Sequence, residues 1–219
     1  TAFQDKFHAT PGDMSSAIEV WGDNVAVCSD GNAANNGTPG TCNGNGNAIV
    51  DVLSPCDAAF LTAQDLAPNS MQLVDADRSA ALYDAMAPGV EASGGSAGNT
   101  VAGVGSFGGR AAYIGKVADD TLGQVFTHDI RAAGIRFDTP ARAGQPTTGR
   151  CLIFVTPDGQ RTMNTFLGAS HYLPAEALDR ALIADAAYLY LEGYLWDPEE
   201  PRSAMRAAID VARAAGRKV

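Results

Sequence analysis

From residue 46 onward, short apolar runs alternate with amphipathic stretches, and this alternation restricts the fold more than any other feature of the chain. "NAIVDVL" (47–53) reads as a buried strand, a short apolar run bounded by turn residues. "DADRSAALYDAMA" (75–87) has helical spacing, with Asp75 as its N-cap. "GNTVAGVGSF" (98–107) reads as a helix of small residues and "AAYIGKV" (111–117) as a strand. "DDTLGQVFTHDIRAAG" (119–134) is an amphipathic helix, and Gly134 suits the left-handed position that ends one. "GRCLIFVTPDGQRTMNTF" (149–166) predicts a hairpin turning at 157–159. "PAEALDRALI" (174–183) predicts a helix with Pro174 near its start, "AAYLYLEGYLW" (186–196) a strand, and "PEEPRSAMRAAIDVARAAG" (198–216) a long helix stopped by Gly216. Strands alternating with helices specify an α/β fold with a mainly parallel sheet, to which the hairpin is an antiparallel addition. Lys218 and Val219 read as the start of a further strand, so the expectation is a chain that stops partway through its sheet.

Residues 1–45 have a different character. "CSDGNAANNGTPGTCNGNGN" (28–47) is dense in Gly, Asn and Pro, which is turn chemistry with little to bury. Only "AIEVWGDNVAV" (17–27) could form strands. The expected organisation is an atypical, poorly packed extension over 1–45 and a folded region over 46–219.

Charge and cysteine usage narrow the function classes. The net charge is −10 and no Lys/Arg cluster occurs, which excludes nucleic acid and anionic membrane surfaces as partners. No apolar run approaches the roughly 20 residues of a membrane span, and the first residues lack a secretory pattern. Four cysteines and three histidines are too scattered for a zinc site. Reduced thiols and a cytoplasmic location are the simplest reading, with a Cys28–Cys42 bridge as the alternative.

Three stretches carry candidate chemistry. "GVGSFG" (103–108) looks like a dinucleotide fingerprint, but it follows a helical stretch and precedes a strand, the reverse of the order that a pyrophosphate site needs. Gly103 and Gly105 are better read as allowing close helix packing, with Gly108 and Gly109 ending the helix. In "VEASGGSAGN" (90–99), Gly94 and Gly95 lie between a strand and a helix, where backbone N–H groups can face a ligand. Asn99 would sit one turn further on; a tight turn with a surface asparagine fits the same residues. Asp51 interrupts an apolar run, and a buried carboxylate is costly unless partnered. With Asn47 it could hold vicinal hydroxyls, or it could cap a neighbouring helix. Glu192 ends an apolar strand, the position where open α/β sheets bind ligands; an ordinary loop carboxylate is the alternative.

Taken in order, "GNAIVD" (46–51), "GGSAGN" (94–99) and "GGRAAYIGKVADDTLG" (108–123) resemble the N-terminal half of the ribokinase-like (PfkB) carbohydrate kinases, and most of all their bacterial adenosine-kinase-like members. Residues 138–170 look like that family's lid and its return to the main sheet. The resemblance implies a three-layer α/β/α fold with a small β lid. It implies Asn47 and Asp51 as substrate-hydroxyl ligands, Gly94, Gly95 and Asn99 as the substrate glycine loop, Glu192 as an acidic sugar contact, and Tyr194 near a nucleoside base. The implied activity is phosphorylation of a hydroxymethyl group of a nucleoside or sugar by ATP with Mg2+, adenosine foremost. Val101 and Ala118 depart from the family pattern, which has a small residue and Gly there. The family's Gly-Ala-Gly-Asp and Asn-x-x-Glu motifs do not occur, so the expectation is a chain truncated before the nucleotide-binding half, with no catalytic residue or metal ligand and no turnover alone. A non-catalytic sugar- or nucleoside-binding module and an inactive structural remnant are the alternatives. Self-association through the lid or an open sheet edge is a further expectation.

Overall fold

The computed structural model describes residues 41–219; the possible strands at 17–27 lie outside them. Two sheets organise these residues. The main sheet has the order β5-β1-β8, where β1 is Thr41–Asn45, β5 is Arg110–Ile114 and β8 is Tyr188–Leu191. Its strands are parallel, with Asn45 beside Ile114 on one side and Leu191 on the other. Lys218 forms a parallel bridge to Tyr188, so the residues after the last helix continue the sheet past β8.

The second sheet is the lid, ordered β3-β7-β6-β2-β4. It comprises β2 (Ile49–Pro55), β3 (Met71–Leu73), β4 (Val90–Gly94), β6 (Gly149–Val155) and β7 (Arg161–Phe166). Here β2 is parallel to β6 and antiparallel to β4, while β6 and β7 form the hairpin. The lid is therefore larger than the 138–170 segment, and β2, read as a buried strand of a mainly parallel sheet, belongs to it. An apolar run marks burial but does not say which sheet buries it.

Helix α3 (Ser96–Ser106) packs on β1 and β5 of the main sheet, and helix α4 (Thr121–Ala132) packs against β4 and β2 of the lid, its Phe126 ring meeting Tyr113 of β5. Helices α5 (Arg180–Asp185) and α6 (Glu199–Ala214) pack on the face of the main sheet opposite α3. One core joins Val50, Val52, Leu152 and Phe154 of the lid to Val101, Tyr113 and Phe126, and includes Leu61 of α1 (Ala58–Ala63) and Leu82 of α2 (Ala76–Ala85). Helix ends follow local chemistry. Asp75 accepts from the Arg78 N–H, and Gly134 takes φ +80 beyond α4. Asp120 N-caps α4 through Gly123 N–H at 2.8 Å, and its carboxylate also accepts from Thr148 N at 2.8 Å and Thr148 Oγ1 at 2.7 Å. That one side chain fixes both the helix start and the chain's re-entry into the lid.

Several expectations need correction. The segment expected to pack poorly ends in β1, a buried central strand. Backbone pairing on both sides overrides the weak strand preference of Asn and Gly. The stretch 174–183 is not one helix: a 3-10 turn, Ala175–Ala177, precedes α5, because Asp179 caps a new start by accepting from Leu182 N. Gly105 does allow close packing, since a Cβ there would lie 2.8 Å from Ile135 Cδ1, but Gly103 faces open space. Cys42 is disulfide-bonded, against the reading of reduced thiols, while Cys56 and Cys151 are free.

Two asparagines of β1 carry buried side-chain atoms without a partner among the described residues. Asn43 donates to Leu182 O at 2.9 Å, but its Oδ1 has no partner among the described residues. Asn45, wholly buried, has none for either side-chain polar atom. A buried unsatisfied polar group costs about 1–3 kcal/mol. Asn45→Val should therefore raise the free energy of unfolding by about 2 kcal/mol, read as a higher urea midpoint with an unchanged slope.

Candidate functional site

The site forms where β1 hands over to β2, against the start of α3. Gly46 and Asn47 make that junction. The buried Tyr113 hydroxyl donates to Gly46 O at 2.8 Å. A Cβ on Gly46 would lie 2.5 Å from Ala97 Cβ and 3.2 Å from Glu192 Oε2, so only glycine permits this approach of strand to helix. Gly95, the N-cap of α3, has φ +84, a conformation that side chains rarely adopt, and any Cβ there would strike Asn47 O.

Asp51 lies on β2 between Ala92 of β4 and Cys151 of β6. Its carboxylate covers Gly94: a Cβ at that position would fall 2.5 Å from each carboxylate oxygen. Asn47 is buried, and its Oδ1 accepts from Ser170 Oγ at 2.9 Å, which fixes the amide plane. Burial pushes the Cys151 thiol up to about 11, and the neighbouring Asp51 charge adds to the rise. Cys151 is thus a neutral, unreactive wall beside the carboxylate.

Glu192 follows β8 and is 5% exposed. Ser96 Oγ and Tyr190 OH both donate to its Oε1, the second at 3.1 Å. Burial holds its carboxyl above the usual range, and the bonds from Ser96, Tyr190 and the Ala97 N–H oppose that rise. Burial and the Glu192 charge together push Tyr190 up to about 12.

Asn47, Asp51, Gly94 and Gly95 therefore meet, with Glu192 beneath them. Asn99 is exposed on α3, its N–H bonded to Gly95 O, and Tyr194 is 62% exposed; neither touches this cluster through a side-chain hydrogen bond given by the structure. The carboxylate of Asp51 and the amide of Asn47 offer an acceptor and a donor set suited to adjacent hydroxyls. Four contributors were not foreseen. Tyr190 shares the strand face of Glu192 by the period-two rule, so a signal for it existed. Ser96, Tyr113 and Ser170 gave none, because their roles arise from tertiary contact.

Residues 70–219 match the pfkB family of carbohydrate kinases, and the chain belongs to that family. Its fold is the ribokinase-like α/β fold of such kinases. It is similar to the adenosine kinase from Sinorhizobium meliloti at 52% identity and a TM-score of 0.75, over 81% of this chain and 54% of that one. A probable sugar kinase from Rhizobium etli CFN 42 is 48% identical, with the same TM-score of 0.75 and the same 81% and 54% coverage. Probable fructokinase-7 of Arabidopsis thaliana is 33% identical over 58% of this chain and 37% of its own length. The chain thus spans about half the length of the two solved structures and less of the plant relative. Among the described residues no group of three or more His, Cys, Asp or Glu side chains could hold a metal ion. Among them, too, no helix is long and apolar enough to cross a membrane.

Two outcomes test this geometry. Gly94→Ala should displace the Asp51 carboxylate, whereas Gly103→Ala, with open space around it, should stabilise α3 by about 1 kcal/mol through helix propensity. Urea unfolding of both variants checks the contrast. The raised Glu192 carboxyl contributes stability that is complete below its unfolded value near 4.5 and is lost as pH rises through the higher folded value. The urea midpoint of Glu192→Gln relative to the parent chain should therefore rise as the pH is raised above about 4.5.

Proposed function

We propose that this site captures the vicinal hydroxyls of a nucleoside, adenosine foremost, for phosphorylation of its hydroxymethyl group. The observation that carries the reading is the Asp51 carboxylate seated on Gly94 beside the buried Asn47 and the Gly95 turn. Asp51 accepts from the hydroxyls, Asn47 hydrogen-bonds alongside it, and the bare backbone at Gly94 and Gly95 lets the sugar ring approach closely. Asn99 and Tyr194 stand exposed, where a ligand can reach them; Tyr194 would lie against the base. The lid face next to Asp51 carries Ile49, Cys151 and Ile153, an apolar wall better suited to a nucleobase than to a free sugar. The 52% identity to an adenosine kinase supports the same choice. ATP supplies the phosphoryl group when bound; the residues described here act on the acceptor. Fructose is the second reading, favoured by the fructokinases among the relatives.

Titration calorimetry with adenosine and with fructose tests the proposal. Adenosine should bind, fructose should bind more weakly, and Asp51→Ala should weaken adenosine by about 10- to 150-fold, the loss of charge-assisted hydrogen bonds worth roughly 1.5–3 kcal/mol. Equal adenosine affinity in Asp51→Ala would overturn the assignment. Transfer of labelled phosphate from ATP to adenosine, if lost in Asp51→Ala, would extend the proposal from capture to turnover.

A further inference from the structure

Glu192 is the one buried carboxylate among the described residues, and its geometry serves the protein rather than a ligand. We propose that Glu192 is a positioning residue: its carboxylate ties the end of β8 to the first turn of α3 and thereby sets the Gly94–Gly95 loop against Asn47. The inference rests on reading that loop as the hydroxyl site, but it assigns Glu192 a different role from the acidic sugar contact that the family resemblance implies.

The first N–H groups of a helix have no intrahelical acceptor, and Gly95, the N-cap of α3, has no side chain to supply one. Glu192 fills the gap from another element. Its carboxylate takes the Ala97 N–H and the Ser96 hydroxyl, and its negative charge sits at the positive end of the helix dipole. Ser96 and Ala97 immediately follow Gly94 and Gly95, so the loop cannot shift without straining these bonds.

The Glu192 carboxylate is held from β8 as well as from α3. Tyr190 on β8 donates to the same oxygen at 3.1 Å and is itself engaged by the Thr100 hydroxyl, while Thr100 Oγ1 donates to Ser96 O at 3.0 Å. These contacts close a ring on the first turn of α3. The other oxygen lies where a Gly46 Cβ would be only 3.2 Å away, against the residue before Asn47. The groups facing Glu192 are therefore Ser96, Ala97 and, through Tyr190, Thr100 on α3; Tyr190 on β8, with Tyr194 beyond it; and Tyr113 on β5, whose buried phenol feels its charge. A carboxylate that already accepts from Ser96, Tyr190 and Ala97 has little capacity left for a substrate hydroxyl.

Amide hydrogen exchange on the ligand-free 219-residue chain separates the two roles, because a substrate contact would not affect it. In Glu192→Ala the amides of Ala97 to Thr100 should exchange about tenfold faster than in the parent chain, with the α6 amides unchanged. Glu192→Gln, which keeps an acceptor for Ser96 and Tyr190, should restore most of that protection. Ser96→Ala should reproduce part of the loss and add little to Glu192→Ala. These two milder variants carry the test if Glu192→Ala does not fold. Unchanged α3 exchange in all three variants, with or without a fall in adenosine affinity, overturns the positioning role. Faster α3 exchange in a chain whose parent fails to bind adenosine supports the latch and removes the nucleoside reading alone.

Discussion

The close approach of the α3 N-terminus to the β1–β2 junction is the constraint on which the remaining geometry depends. Gly44, Gly46 and Gly95 have no side chains at the three points where helix and strand come nearest, and each has a neighbour where a Cβ would have to be. Because the helix sits this low, Glu192 can reach its first N–H groups from the end of β8. For the same reason the turn at Gly95 lies directly against Asn47 O, and Gly94 is presented to Asp51. The grouping of Asn47, Asp51, Gly94 and Gly95 is a by-product of one tight crossing, secured by the Tyr113 phenol on Gly46 O.

Features written in short-range chemistry were legible in the sequence. Asp75 and Gly134 bound helices where their residue types prescribe. The Gly94–Gly95 turn announced itself as a strand-to-helix junction, and Asp51 was conspicuous as a carboxylate inside an apolar run. What could not be read depended on partners distant in the chain. The strand β1 has almost no strand-forming side chains and exists because β5 and β8 pair with it. Ser170 meets Asn47 from 123 residues away, and the burial of Glu192 depends on α3 arriving above it. The split before α5 was readable in principle, since Asp179 is a good cap, but the preceding Pro174 offered a competing start.

The departure from the family pattern at Val101 has a physical counterpart in β1. Val101 Cγ1 occupies the space directly above Gly44, 2.5 Å from where a Cβ on that strand residue would be. The larger helix residue is accommodated because the strand residue beneath it is the smallest. The two positions share one volume in the core, and close packing leaves no room to enlarge both.

The lid joins the main sheet at places that are held by side chains as well as by peptide bonds. On one side β2 departs from Asn47, clamped by Ser170; on the other β6 departs from Thr148, clamped by Asp120, which also starts α4. The two departures are adjacent, since Ile49 and Gly149 are partners in the lid register. The exits of β4 and β7 fall in the same place, since Ile49 also pairs with Gly94, and Arg150 pairs with Phe166. Away from these ends the lid shares one core with Tyr113 and Phe126 through Val50, Val52, Leu152 and Phe154. A change of volume at any of those four side chains is consequently felt in the body as much as in the lid.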